Sequence, residues 1–185
     1  MTTPVTKKIV ILLLATIVAS SNAITASAAS REELDRDGAN ALKSLYAGNS
    51  AAKLVGEKAV AVLVFPNIVK AGFMFGGQIG DGVLFKNGKP VGYYNSLAGS
   101  YGLQAGLQVF GYALFFMKQE ALDYLDKSEG WEIGVGPSIV VVDAGVGKTL
   151  TSTTLQKDIY AFIFDQKGLM AGIGIQGSKI TKIKK

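Results

Sequence analysis

Three glycine-rich stretches and a set of scattered carboxylates are the residues of this chain whose types and spacing could do chemistry. Gly145-Val146-Gly147-Lys148-Thr149 ends like a nucleotide-binding loop, in which backbone N–H groups and a lysine cradle phosphates. That loop needs a glycine five positions before Gly147, where Val142 stands. The residues after it, Leu150-Thr151-Ser152-Thr153-Thr154, are poor helix formers, so a surface loop is expected and nucleotide binding is not. Gly172-Ile173-Gly174-Ile175-Gln176-Gly177 spells a dinucleotide fingerprint, but only eight residues follow it, too few for the helix and second strand of that unit. It reads as a glycine-rich strand. Gly76, Gly77, Gly80 and Gly82 could hold a phosphate on backbone N–H groups, or could make a tight turn with close packing, which is the better fit.

Carboxylates can act in pairs across a glycosidic bond or ligate a cation through oxygen. Asp123, Asp126 and Glu129 fall near a short helix, and Asp143, Asp158 and Asp165 fall at strand ends. No two are marked as facing partners, and no D-x-D-x-D-G loop is present. Asp81, between two glycines, is the one acid with an unusual setting. The 185 residues include no histidine and no cysteine, which removes Ser-His-Asp and Cys-His triads, disulfides, thiolate nucleophiles and zinc-finger ligand sets. The expectation is therefore a non-enzymatic protein with no catalytic residue, no metal and no cofactor. Without histidine, binding should be nearly flat between pH 5 and 8. Basic residues are interleaved with acids and give no nucleic-acid patch.

The elements that must position these residues begin after a targeting segment. Lys7 and Lys8 precede the run IVILLLATIVA at residues 9–19, which rises about 16 Å as a helix against a hydrocarbon core of about 30 Å. With Ala26-Ser27-Ala28 behind it, this is the pattern of a signal peptide, residues 1–28, with a second cut open at Ala23. Export to the periplasm or envelope follows, and lacking cysteine the chain is not expected to be a lipoprotein. Removing Lys7 and Lys8 leaves 17 basic and 14 acidic residues. Lys179, Lys182, Lys184 and Lys185 crowd the last seven positions, as an electrostatic handle for anionic surfaces or as a frayed, solvated end.

Residues 29–185 read as one domain. Ser30-Arg31-Glu32-Glu33 has the form of a capping box, and Leu34, Gly38, Ala41, Leu42 and Leu45 follow at helical spacing up to Gly48. Its polar face starts acidic, so packing on the protein's own sheet is favoured over a membrane-surface helix. A second short helix covers residues 51–55, and a third covers residues 119–127. Strands are expected over residues 59–65, stopped by Pro66, then 71–75, 83–86 and 91–94 around an Asn87-Gly88 turn. Further strands fall at 101–109, 131–142, 159–165, 169–176 and 179–183. Paired glycines inside strands suit a strongly coiled sheet. The predicted fold is α+β and β-rich: a curved antiparallel sheet or partly closed barrel, with N-terminal helices and one short helix packed on it.

Several segments occur in a familiar order: Val64-Phe65-Pro66, Lys70-Ala71-Gly72-Phe73, Gly76-Gly77 with Gly80 and Gly82, Gly102-Leu103-Gln104-Ala105-Gly106, Phe115-Phe116, Gly134-Val135-Gly136 and Gly168-Leu169-Met170-Ala171-Gly172. This set resembles the SYLF domain family, in its secreted proteobacterial form, over nearly all of residues 29–185. The resemblance implies a lipid-binding module; its eukaryotic members bind phosphoinositide membranes, and some bind actin. Those members use a basic N-terminal helix, whereas the segment here begins acidic. Lipid binding carries over as a class and the ligand does not; the expectation is peripheral binding to anionic membrane lipids, with Lys43, Lys53, Lys58, Lys70, Lys179, Lys182, Lys184 and Lys185 as candidate contacts. A structural or protein-interaction domain of the envelope is the alternative.

Overall fold

The computed structural model describes residues 29–185 apart from 74, 102–105, 129, 152 and 169–174. The signal peptide, the strand expected over 169–176 for most of its length, and the dinucleotide-like run from Gly172 lie outside the described residues in whole or part. Helix α1 (Arg31–Gly48) starts at the predicted capping box: Glu33 N–H donates to Ser30 Oγ at 3.2 Å, and Ser30 N–H donates to Glu33 Oε2 at 2.9 Å. Asn49 then caps α2 (Ser50–Gly56) through its side chain.

Strands β1 (Ala61–Phe73), β2 (Phe75–Lys86), β3 (Lys89–Tyr101) and β4 (Gly106–Phe116) come next, followed by α3 (Gln119–Lys127). Two short strands, β5 (Trp131–Glu132) and β6 (Ile139–Val141), flank a turn. Helix α4 (Ala144–Thr149) leads to β7 (Ile159–Gly168) and β8 (Lys179–Ile183). The strands form one eight-stranded sheet in the order β5-β8-β3-β2-β1-β4-β7-β6, antiparallel except at β6–β7.

That order forces the sheet to curl. Laid flat, eight strands would separate β5 from β6 by about 34 Å. The chain from Glu132 to Ile139 reaches about 25 Å at most. Trp131 of β5 accordingly lies 6.3 Å, ring to ring, from Phe116 of β4, and Tyr112 of β4 donates to Ser96 of β3 at 2.7 Å. These contacts identify the inside of the curl. It is packed with Leu63, Phe65, Phe110, Tyr112, Leu114, Phe116 and Trp131, and α3 closes it with Ala121, Leu122 and Leu125. Helices α1 and α2 cover the outer face over Val62, Val64, Val83, Phe85, Phe115 and Phe162. The predicted β-rich, curled architecture with helices on it is the one observed.

Four local expectations are corrected. Pro66 does not stop β1; it sits in a bulge between Phe65 and Ile68, where its missing N–H breaks no ladder bond, and the strand resumes. Gly76 to Gly82 is strand, paired with β3 throughout and with β1 from Gly76 to Ile79, so it makes neither the favoured tight turn nor a phosphate-holding loop. Residues 131–142 are not one strand, because Gly134 and Gly136 adopt φ of +108° and +91° and turn the chain. Residues 144–149 form a short helix, not a loop. Asn87 and Gly88 do make the hairpin turn, with φ of +52° and +73°.

Two substitutions test this packing. Alanine normally stabilises a helix interior relative to glycine by about 1 kcal/mol. At Gly38, however, a Cβ would lie 2.3 Å from Val83 Cγ1, so Gly38→Ala is expected to lower stability by about 1–3 kcal/mol in urea unfolding. Asp158 accepts from Ser138 N–H and Oγ and pairs with Lys118 at 2.7 Å, which ties the β6 edge to β7. The Lys118 ammonium, with Ser138, pulls its carboxyl down to about 2. This contribution is complete above the ordinary carboxylate range and is lost as pH falls through about 2. Asp158→Ala should therefore cost about 1–2 kcal/mol at pH 7, with the difference from wild type shrinking toward pH 2.

Candidate functional site

The outer face of the sheet is covered over only half its length. Beyond the helices, toward the β1–β2 turn, strand positions that point outward are exposed: Val69 at 41%, Ile79 at 53%, Leu97 at 54%, Leu107 at 59% and Phe75 at 69%. Register aligns them. Leu97, Ile79, Val69 and Val109 stand side by side on β3, β2, β1 and β4, directly paired strand to strand. The same row is extended at one end by Lys179 of β8, paired with Leu97, and at the other by Lys167 of β7, paired with Val109. Both lysines are exposed. A second row nearer the turn holds Ala71 opposite Leu107 and Gly77.

The row is therefore four apolar side chains wide with a cation at each end, about 24 Å from lysine to lysine. A soluble surface scatters single apolar residues; a contiguous apolar face marks a contact with a protein or a lipid. The four strands beneath it have reversed polarity relative to an ordinary half-buried sheet. On the inside of the curl, Lys70 sits between Gln78 and Gln108 on neighbouring strands, all three buried. Gln78 Nε2 donates to Ser178 Oγ at 2.9 Å. Burial pushes the Tyr112 hydroxyl pKa upward, with Ser96 opposing, so Tyr112 stays a neutral donor.

The eight lysines singled out from the sequence do not form one patch. Lys43 and Lys53 are exposed on α1 and α2, and Lys58 is exposed just beyond α2, on the covered side of the outer face. Lys70 is inside the curl. Lys182 pairs with Asp126 at 3.0 Å and lies over the Tyr94 ring. Lys184 is exposed, and Lys179 ends the apolar row. The chain end is strand over residues 179–183 as expected, and its last lysine is not frayed: Lys185 pairs with Asp81 at 2.7 Å and donates to the Ala29 carbonyl at 2.9 Å. Asp81, which also accepts from Asn95, is thus an anchor for the chain end. Among the described residues no group of three or more carboxylates could hold a metal ion, and no helix is long and apolar enough to cross a membrane.

A family model described as "Ysc84: Las17-binding protein actin regulator" matches residues 97–185. The match supports the resemblance to the SYLF domain family over this stretch. SYLF proteins are related to lipid binding and actin regulation. No curated protein matches the chain. The matched span opens at Leu97 and includes Leu107, Val109, Lys167 and Lys179, so it contributes one end and the far side of the row, while Val69 and Ile79 come from strands before it. Sequence reading missed the row because Val69-Lys70-Ala71 and Gln78-Ile79 look like ordinary alternation. The missing signal was that the polar side is the enclosed one.

Because the row is exposed, Ile79→Ser with Leu97→Ser is expected to leave Tm within about 2 °C of wild type. The same double variant should lose at least half of the fluorescence of the apolar probe anilinonaphthalene sulfonate bound to the native protein.

Proposed function

We propose that the protein is a non-catalytic, exported protein of the bacterial envelope that docks peripherally on anionic phospholipid or phosphoinositide surfaces. The observation that carries this reading is the apolar row Leu97-Ile79-Val69-Val109 with Lys179 and Lys167 at its ends. Apolar side chains gain about 25 cal/mol per Å² on leaving water, and each lysine near an anionic leaflet adds about 1 kcal/mol, screened by salt. An anionic bilayer supplies both halves of that chemistry at one flat boundary, whereas a protein partner would have to match the lysines individually.

The uncovered section is short. From Val69 to the end of β1 at Phe73 it extends about 13 Å, the depth of one leaflet and less than half of a hydrocarbon core. Peripheral docking fits that length. The family's basic-helix route has less support here: α1 begins with Glu32 and Glu33, and Arg31 is engaged with Tyr93, donating from Nε to the hydroxyl at 2.9 Å, while Tyr93 donates to Asp35. The helix is thereby fastened to the sheet.

Co-sedimentation with vesicles of phosphatidylglycerol in phosphatidylcholine tests the reading. Wild type should bind at low salt, more weakly at high salt, and negligibly to phosphatidylcholine alone. Leu97→Asp should lower affinity more than tenfold, and Lys167→Glu with Lys179→Glu should remove most of the salt dependence. Binding that ignores all three changes would overturn the proposal, and capture of a single protein partner by the same face without lipid binding would favour the envelope-interaction alternative.

A further inference from the structure

Two bulges flank the same stretch of β4, at the border between the helix-covered section of the outer face and the apolar row. In β1 the register slips at Pro66-Asn67, between Phe65 and Ile68. In β7 it slips at Asp165-Gln166, where Phe164 pairs with Gly111 and Lys167 with Val109. Bulges of this kind re-aim side chains. Here they border open space under α1. A cavity of about 420 Å³ lies between Asn40 and Ser44 of α1 and Asn67 and Asp165 of the bulges. A second, of about 270 Å³, shares Ser44 and Asp165 and continues the groove toward Gly48 at the end of α1.

The side chains of Asn40, Ser44, Asn67 and Asp165 make no hydrogen bond or ion pair with any described residue. Asp37, at the rim, is paired with Arg36 at 3.0 Å. Among the described residues no lysine or arginine lines either cavity, so the groove offers acceptor oxygens and negative charge. A cation stands just outside it. Lys167, which ends the apolar row, follows Asp165 by two residues on the same strand, within about 7 Å. Asn67 precedes Val69 by two residues, so the groove stands about 7 Å from the row, the depth of the headgroup layer when the row meets hydrocarbon.

We propose that this groove binds a primary ammonium two carbons away from a phosphate, with Asp165 taking the ammonium and Lys167 the phosphate. An ammonium carries three donors, and Asn67, Asn40 and Ser44 supply acceptor oxygens around it. A quaternary ammonium has the same charge and no N–H, so these acceptors do not reward it. Phosphoethanolamine has the required chemistry, either as the headgroup of a lipid in the leaflet on which the row docks or as a free phosphodiester. The lipid form rests on the proposed docking function; the free form does not. A basic peptide would bring an ammonium but no phosphate, and Lys167 would repel it.

The experiment uses the purified chain with vesicles of equal phosphatidylglycerol content, diluted by phosphatidylethanolamine or by phosphatidylcholine, and with soluble glycerophosphoethanolamine followed by NMR. Wild type should bind the ethanolamine vesicles about fivefold more tightly, the upper scale of an exposed ion pair. Asp165→Asn removes the charge and keeps a residue that tolerates the φ of +51° found there, so the fold should hold while the preference disappears. Ser44→Lys, which places a tethered ammonium in the groove from an exposed helix position, should abolish it too. Leu97→Asp should weaken binding to both vesicle types and leave the soluble ligand bound. Glycerophosphoethanolamine bound by wild type and not by Asp165→Asn, without vesicle binding, would support the groove in its free form and sink the docking function. A preference that survives both groove variants, or equal wild-type binding to the two vesicle types with no binding of the soluble ligand, would overturn the proposal. So would equally tight binding of Nα-acetyl-lysine amide, which would assign the groove to a basic peptide.

Discussion

The two edge strands of the sheet are neighbours in sequence and would be far apart in a flat sheet, and the seven-residue reach from Glu132 to Ile139 cannot span that distance. Curling is the consequence, and most of the rest follows from it. One face becomes a closed interior where Trp131 meets Phe116 and Phe65 stacks on Tyr112 at 4.6 Å. Glycine is required where that interior is tightest: a Cβ at Gly82 would lie 2.6 Å from the Phe65 ring. The ring occupies the space that a side chain on β2 would otherwise take.

The same curl divides the sheet into two halves of different polarity. Near α3 both faces are apolar, one filled by the aromatic interior and the other by α1 and α2. Toward the β1–β2 turn the helices end, and the strands carry apolar side chains outward and Lys70, Gln78, Gln108 and glycines inward. Alternation of this sense, apolar outside and polar inside, is that of strands facing lipid rather than water. Here it occupies a short section of a half-closed sheet. In the proposed docking function it is the arrangement of six strands that makes the contact, and the lysine total contributes little.

Local signals in the sequence were sufficient where structure is local. The Ser30–Glu33 box, the Asn87-Gly88 turn and the helix from Gln119 each depend on residues within one turn, and each forms as expected. The bulge that carries β1 past Pro66 depends on β4, and the break in residues 131–142 depends on Trp131 pairing at one edge of the sheet while Ile139 pairs at the other. Gly134 and Gly136 permit the second break, but the pairing partners that impose both lie outside the segments themselves. The lysines illustrate the same limit. Four of them lie close together at the chain end, yet strand alternation and ion pairs send Lys179 to the outer row, Lys182 to Asp126 and Lys185 to Asp81. Proximity in sequence did not make a patch, and Lys167 joined Lys179 across six strands.

The absence of cysteine makes the central claim directly measurable, because a single introduced thiol can carry an environment-sensitive fluorophore. With Ile79→Cys and Lys53→Cys each labelled and mixed with phosphatidylglycerol vesicles, the label at position 79 should shift to the blue and be quenched by spin-labelled lipid acyl chains, while the label at position 53 stays aqueous. A label at position 53 that enters the bilayer while the one at position 79 remains in water would contradict the account.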